Sequence, residues 1–183
     1  AKEVGRQRYL HNTAILETVI DGSGGTVRLV DFAPRFRRFG RMFRPPMLVR
    51  RLEPVAGRPR VTIRLRPTFD YGAHKAKLTS GSNHARFFGD TGVLRLTTDA
   101  SINYILHETE FSLDRPLNLI VGADESITDN PDTLTKTFFA ETESYWQTWV
   151  RDLNIPFDWQ QAVIRAAITL KMCSYEDTGA VLA

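Results

Sequence analysis

The sequence predicts a mainly β fold, an antiparallel β-sandwich over residues 1–126, that gives way to helices near residue 130. Three observations carry this. Short apolar runs alternate with polar residues between Gly-, Pro- and Asp-containing turns through the first two thirds of the chain. The apolar period then changes from near 2 to near 3.6. At the change stands "NPD", with Asn130 as helix cap, Pro131 at the first helical position and Asp132 in the first turn.

In chain order, "AILETVI" (14–20) and "TVRLVDF" (26–32) flank the Gly-rich "DGSGG" and read as a hairpin. "PMLVRRLEPV" (46–55) and "RVTIRLRP" (60–67) flank "AGRP". "ARFFG" (85–89) and "GVLRLTTD" (92–99) meet around Asp90-Thr91. "HETEFSL" (107–113) and "LNLIVGAD" (117–124) flank "DRP". Strands at this spacing make a sandwich. Leu134, Phe138, Trp146, Trp149 and Leu153 then recur at helical spacing, so 127–157 reads as a helical linker that "NIP" interrupts. Asp158 and Gln161 suggest a capping-box start for a second helix, from about Trp159 to Cys173. Its residues are apolar nearly all round, which calls for burial on more than one side. A turn at Thr178-Gly179 follows.

The chain has 183 residues, 42% hydrophobic and 25% charged, an ordinary globular composition. The single cysteine, Cys173, forbids an internal disulfide and reads as packing within an apolar helix. No apolar run approaches the roughly 20 residues of a transmembrane helix. A secretory leader is not visible in "AKEVGRQRYL", and the expected location is cytoplasmic. Both ends read as cut: the first residue is not Met, and the last apolar residues begin a new segment.

The net charge of +3 is unevenly spread. Residues 35–66 hold eleven arginines and one acid, Glu53, while from Asp99 onward fourteen acids face five Lys and Arg. A basic block can mark nucleic acid. Here it has no lysine, and Arg60, Arg64 and Arg66 alternate with Val61, Ile63 and Leu65 as a solvated strand face. Neither nucleic acid nor membrane is therefore the expected partner.

Few residues suggest chemistry. Glu108 and Glu110 would point to one side of a strand, a spacing a glycosidase dyad could use, but a solvated strand face explains them better. His11, His74, His84 and His107 are scattered, so no metal and no cofactor are expected. "GSGG" at 22–25 joins two strands and precedes no helix, which a phosphate loop requires. "RPTFDYGAH" (66–74) reads as a strand-end corner, and Trp146, Trp149 and Trp159 as core or interdomain packing.

Five segments in order carry a resemblance: "RYLHNTAILETVI", "VRLVDFAPR", "LVRRLEPVAGRPRVTIRLRPTFDYG", "WQTWV" and "VIRAAITLKMCSYEDTGAVLA". Together they resemble bacterial glucoamylase-like proteins of glycoside hydrolase family 15, which include glucoamylases, glucodextranases and some trehalases. "AAITLKMCSYEDTGAVLA" is the most specific part. The resemblance implies an N-terminal β-sandwich, a helical linker and an (α/α)6 barrel whose first helix would lie within 158–183. It implies hydrolysis of an oligo- or disaccharide α-glucoside with inversion, by two glutamates further along the barrel than these residues reach. No catalytic residue is assigned here. Tyr175 and Glu176 match positions near the barrel mouth and are the candidate substrate-binding residues. A non-catalytic carbohydrate-binding or interaction sandwich is the alternative, and exposed aromatic stripes would favour it. Self-association through 159–173 is expected where that helix lacks its neighbours.

Overall fold

The computed structural model describes residues 4–22, 24–176 and 178–182. The fold is mainly β, with one large antiparallel sheet and three helices. β1 (Val4–Tyr9), β2 (Leu16–Gly22) and β3 (Gly25–Phe32) form a meander. A short hairpin follows, β4 (Phe36–Arg38) with β5 (Arg41–Phe43). β6 (Leu48–Gly57) returns to the sheet beside β3. β7 (Arg60–Val61) leaves it, and β8 (Thr68–Phe69) pairs with β9 (His74–Lys75) across a single 3-10 turn. β10 (Lys77–Ser80), β11 (His84–Gly89) and β12 (Gly92–Thr98) form the other flank. After α1 (Ile102–Leu106) and β13 (Phe111–Ser112), β14 (Leu117–Gly122) enters the middle of the sheet. The strand order is β1-β2-β3-β6-β14-β12-β11-β10. α2 (Pro131–Arg151) and α3 (Gln160–Met172) close the described chain.

The hairpins around "DGSGG" and Asp90-Thr91 form as the turn chemistry predicts, with Gly22 opposite Gly25 and Gly89 opposite Gly92. The other two predicted pairings do not form. β6 joins β3 and β14, and β7 joins β13. "HETEFSL" is not a strand over its first half: α1 ends just before it, and Glu108 has a left-handed backbone, φ 50°. Helix therefore appears before residue 130, because Ile102 and Ile105 serve as an apolar plug on the sheet. Past Val61, residues 62–67 form no strand but keep the alternation in burial, Ile63 buried and Arg64 and Arg66 exposed.

Both faces of the central strands are covered, so their apolar residues run on consecutively. Leu117, Leu119, Leu52 and Val27 point one way, onto Ile63, Leu113, Ile102 and Ile105. Ile120, Val49, Val30, Phe32 and Ile15 point the other way, onto Phe138 of α2 and Phe36. Asn130 caps α2 as predicted: its side-chain oxygen accepts from the N–H of Asp132 at 2.9 Å and of Thr133 at 3.3 Å. α3 starts differently. Its cap is Trp159, left-handed at φ 62° and without a side-chain bond, so Asp158 does not cap it. Only one face of α3 is buried, with Ile168 and Ile164 on Trp146 and Val150. Arg165 adds a hydrogen bond to the Thr13 carbonyl at 2.8 Å and lies 4.1 Å over the Tyr9 ring. Cys173 is exposed at the helix end rather than packed, because the buried face ends at Ile168. No helix among the described residues is long and apolar enough to cross a membrane.

A chain of charges crosses the α2 side of the sheet. Glu17 on β2 accepts from Arg8 at 2.7 Å and Arg28 at 2.6 Å. Arg28 also reaches Glu53 at 2.7 Å, and Glu53 accepts from Arg51 at 2.7 Å. Arg51 continues to the Asn118 side-chain oxygen at 2.8 Å and to Asp132 at 2.6 Å. Asn118 is fully buried, and its amide nitrogen donates to Asp99 at 2.6 Å. The hydrogen bond from Arg28 holds the Glu17 carboxyl below the usual range. Burial opposes ionisation of Glu53, but the bonds from Arg51 and Arg28 outweigh it and its pKa falls. Lys136 and Arg51 bring Asp132 from 3.8 to about 2.

Removing Arg51 takes a counter-ion from Glu53 and from Asp132 and a donor from Asn118, although Arg28, Lys136 and Asp99 still reach them. Arg51→Met is expected to cost about 2–4 kcal/mol, read as a lower urea midpoint with unchanged slope. Asp132 has a depressed folded pKa, so its contribution is full above 3.8 and is lost as pH falls towards about 2. Its side chain is 37% exposed, so solvent screening reduces that contribution to about 1 kcal/mol. Asp132→Asn should flatten acid destabilisation in that window by this amount. An unchanged acid limb would show that the pair adds nothing.

Candidate functional site

The predicted site residues lie just past α3. Cys173 and Ser174 turn the chain, Ser174 bridges to Val181, and Tyr175 and Ala180 close a tight turn with an N–H···O of 2.7 Å. Gly179, at φ 74°, supplies the left-handed residue that the predicted Thr178-Gly179 turn requires. This turn carries Tyr175 and Glu176 towards the segment after β3 and towards α2.

Glu176 is held by two cations. Arg35 donates to its carboxylate, and Lys171, on the last turn of α3, lies 2.9 Å away. Arg35 is itself clamped. Its backbone N–H reaches the Thr142 hydroxyl at 3.2 Å and its guanidinium reaches the Tyr145 hydroxyl at 3.3 Å. The guanidinium carbon stands 5.6 Å over the Trp146 ring. Burial raises the Glu176 pKa, but Lys171 and Arg35 reverse this, and the net shift is downward. Tyr175 is the accessible member, 45% exposed, with the Arg44 guanidinium 5.3 Å over its ring.

This geometry assigns chemistry by protonation state. A glycosidic general acid must hold its proton near neutral pH, which requires a raised pKa. Glu176 is shifted the other way, so it can accept hydrogen bonds and fix charge but is a poor proton donor. The same holds for Glu108, whose carboxyl is lowered by Arg66, at 2.6 Å from its second oxygen, and then by Arg64. Glu110 pairs separately with Arg60 at 3.0 Å. Glu108 and Glu110 thus serve as the acid side of the 60–66 arginines, and they are not set across a cleft.

The remaining candidates separate as follows. Trp146 is buried, as predicted, and Trp149 packs edge-on against it, ring centres 5.7 Å apart. Trp159 is 82% exposed and belongs to no core. In "RPTFDYGAH", Phe69 packs on the core and Tyr71 is exposed at the corner. Among the described residues no three His, Cys, Asp or Glu side chains gather as a metal site would require. A groove of about 400 Å³ runs between the β4–β5 hairpin and α2, with Arg37 and Arg38 on one wall and Asp129 and Glu141 on the other. Arg35, Lys171 and Tyr145 carry no local signal in the sequence. Arg35 meets Glu176 across 141 positions, and only the fold brings them together.

No family model, curated protein or solved structure matches the chain.

The Arg35–Glu176 contact ties the turn after α3 to α2, and its loss should be visible optically. Arg35→Ala is expected to cost about 1–3 kcal/mol, since Lys171 alone then pairs the largely buried Glu176 carboxylate. The depressed Glu176 pKa makes this docking complete above the ordinary carboxylate range and progressively lost as pH falls through it. Trp146 fluorescence should shift to the red on acidification in the wild type and respond less in Glu176→Gln. Identical acid profiles would remove Glu176 from the docking.

Proposed function

We propose that this chain is the N-terminal supporting region of an inverting α-glucoside hydrolase of the glucoamylase-like family 15 type, acting on an oligo- or disaccharide in the cytoplasm without metal or cofactor. The observation that carries the proposal is the ordered series of five segments from "RYLHNTAILETVI" to "VIRAAITLKMCSYEDTGAVLA". A mainly β part followed by helices supports it in outline. In this reading the large sheet and the segments that cross its Leu52–Leu119 face are a sandwich with a thin second layer, 127–157 is the linker, and α3 opens an (α/α)6 barrel. Tyr175 and Glu176 then stand at the barrel mouth, with Tyr175 offered to substrate and Glu176 keeping the turn in place.

Inversion needs one protonated carboxyl at the leaving oxygen and a second carboxylate activating water, about 6.5–9.5 Å apart. Glu108 and Glu176 are held ionised by arginine or lysine, so the proposal assigns both catalytic glutamates to the barrel outside these residues. The 183-residue chain should release no glucose from maltose, isomaltose, dextrin or trehalose. The protein from the full reading frame should hydrolyse at least one, with the β-anomer appearing first by NMR. Turnover by the chain itself, lost in Glu108→Gln, would relocate the active site. A full-length protein inert on all four would end the proposal.

The exposed face of α3 allows a second check. Leu170 is 60% exposed and Met172 44%, beyond Trp159 and Phe157 at the helix start. A barrel helix without its neighbours should associate with another copy through this face. Sedimentation of the chain at micromolar concentration is expected to show dimers or larger species that Leu170→Lys disperses. Ile168→Lys should instead unseat α3 from Trp146. A strictly monomeric chain, unaffected by Leu170→Lys, would contradict the barrel-helix assignment.

Phe157 and Trp159, 92% and 82% exposed, favour a second reading as a carbohydrate-binding module. Calorimetric binding of a maltodextrin, lost in Trp159→Ala, would support it over a purely supporting role.

A further inference from the structure

The fold divides the arginine-rich block into two classes. Arg50, Arg51, Arg60, Arg64 and Arg66 each meet a carboxylate. Arg37, Arg38 and Arg41, all on the β4–β5 hairpin, have no carboxylate partner among the described residues. Arg38 stands directly opposite Arg41 in the two-stranded register. Like charges at such a position destabilise a hairpin. The tip adds a second cost. Phe39 is 92% exposed and lies in the left-handed region at φ 51°, followed by Gly40 at φ 75°. Asn, Asp or Gly would occupy position 39 without that strain, and a bulky side chain there is an outlier.

The base of the same hairpin is rigid. Phe36 and Phe43 lie 4.8 Å apart, and each packs on Phe138 of α2, at 5.7 and 5.4 Å. The hairpin is thus firmly anchored but ends in two features that oppose its own stability. Locally unfavourable features on a well-packed support mark sites that work on an external partner. An oxyanion between Arg38 and Arg41 would turn their repulsion into charge-assisted hydrogen bonds. A flat ring would cover Phe39, which stands exposed with the Arg38 guanidinium 5.6 Å from its ring centre.

We propose that the β4–β5 hairpin binds single-stranded nucleic acid, with a base stacked on Phe39 and backbone phosphates on Arg38, Arg41 and Arg37. An unpaired strand supplies both required groups, a ring and an anion, in every repeat. A duplex hides its ring faces from a protruding tip. An anionic bilayer would gain one aromatic side chain, too little apolar area for an anchor. Asp129 and Glu141 flank the groove on the α2 side and confine the strand to the tip and outer edge. The alternation that sets nucleic acid aside concerns the 60–66 arginines, which pairing does neutralise, but the three on this hairpin stand outside that pairing. The inference is independent of the glycosidase reading.

The test is fluorescence anisotropy of the whole chain with a short labelled oligothymidylate. Binding should be measurable at low salt, with log K against log salt falling at a slope of about −2 for three phosphates on a single strand. Phe39→Ala should weaken binding roughly 5- to 150-fold with an unchanged slope, as loss of one stacked base predicts. Arg38→Gln with Arg41→Gln should make the slope shallower. Thermal melts serve as the folding control: neither variant should lower the midpoint, since each removes a destabilising feature. No binding at low salt, or binding indifferent to Phe39, would overturn the proposal. So would a Phe39-independent preference for phosphatidylserine vesicles or a sulfated glycan over the oligonucleotide.

Discussion

Arg51 is the residue on which the arrangement of this protein turns. It sits on β6 with its guanidinium between Glu53, Asn118 and Asp132, so one side chain joins two neighbouring central strands to the first turn of α2. Arg28 extends the same chain to Glu17 and β2. Charges on a covered sheet face are tolerated only when each has its counter-ion. That requirement selects the strand register. A one-residue slip of β6 would carry Arg51 and Glu53 to the opposite face, among Leu117 and Leu119, and bring Leu52 to the charged side. Asp132 fixes where α2 begins as surely as its Asn130 cap does.

From that anchor the helices are placed by aromatic packing. α2 lays Phe138 on Phe36 and Phe43, and further along presents Trp146 and Val150, on which Ile168 of α3 rests. The turn after α3 then comes within reach of Arg35, which Tyr145 and Thr142 already hold. The candidate site is therefore downstream of the whole packing order: sheet, then α2, then α3, then Glu176. Its carboxyl is held below the usual range because two cations meet it, Arg35 from the segment after β3 and Lys171 from α3.

The arginines illustrate how little composition says without pairing. Those at 60, 64 and 66 alternate with buried residues as their spacing predicts, and Glu108 and Glu110 neutralise them. Those at 37, 38 and 41 occupy a hairpin whose register sets Arg37 against Met42 and Arg38 against Arg41, with no acid opposite. The tight Phe39-Gly40 turn could have been inferred from "FRRFGRMF", since an arginine repeat folded at a Gly places like charges face to face. The exposure of Phe39 could not, because an aromatic in a basic hairpin packs inward as readily as outward.

The local elements were legible in the residues themselves. Period-2 alternation located the main strands, Gly22–Gly25 and Gly89–Gly92 closed their hairpins, and Asn130-Pro131 started α2 where the structure has it. These signals lie within a few residues of one another, and the physics behind them is short-ranged: steric turns, capping bonds, solvation of one face. Tertiary structure decided everything that joins distant residues. "AGRP" and "DRP" did not make hairpins because β6 and β14 found a better match in each other, apolar on one face and Arg51–Asn118 on the other. "HETEFSL" yielded half a strand because Ile102 and Ile105 were needed as a plug over the sheet. Trp159 was left outside the core because α3 had only one side to bury, and Glu176 met Arg35 because α2 and α3 had already packed. Pairing choices of this kind depend on differences between whole arrangements, in burial and charge neutralisation, and no single segment contains them.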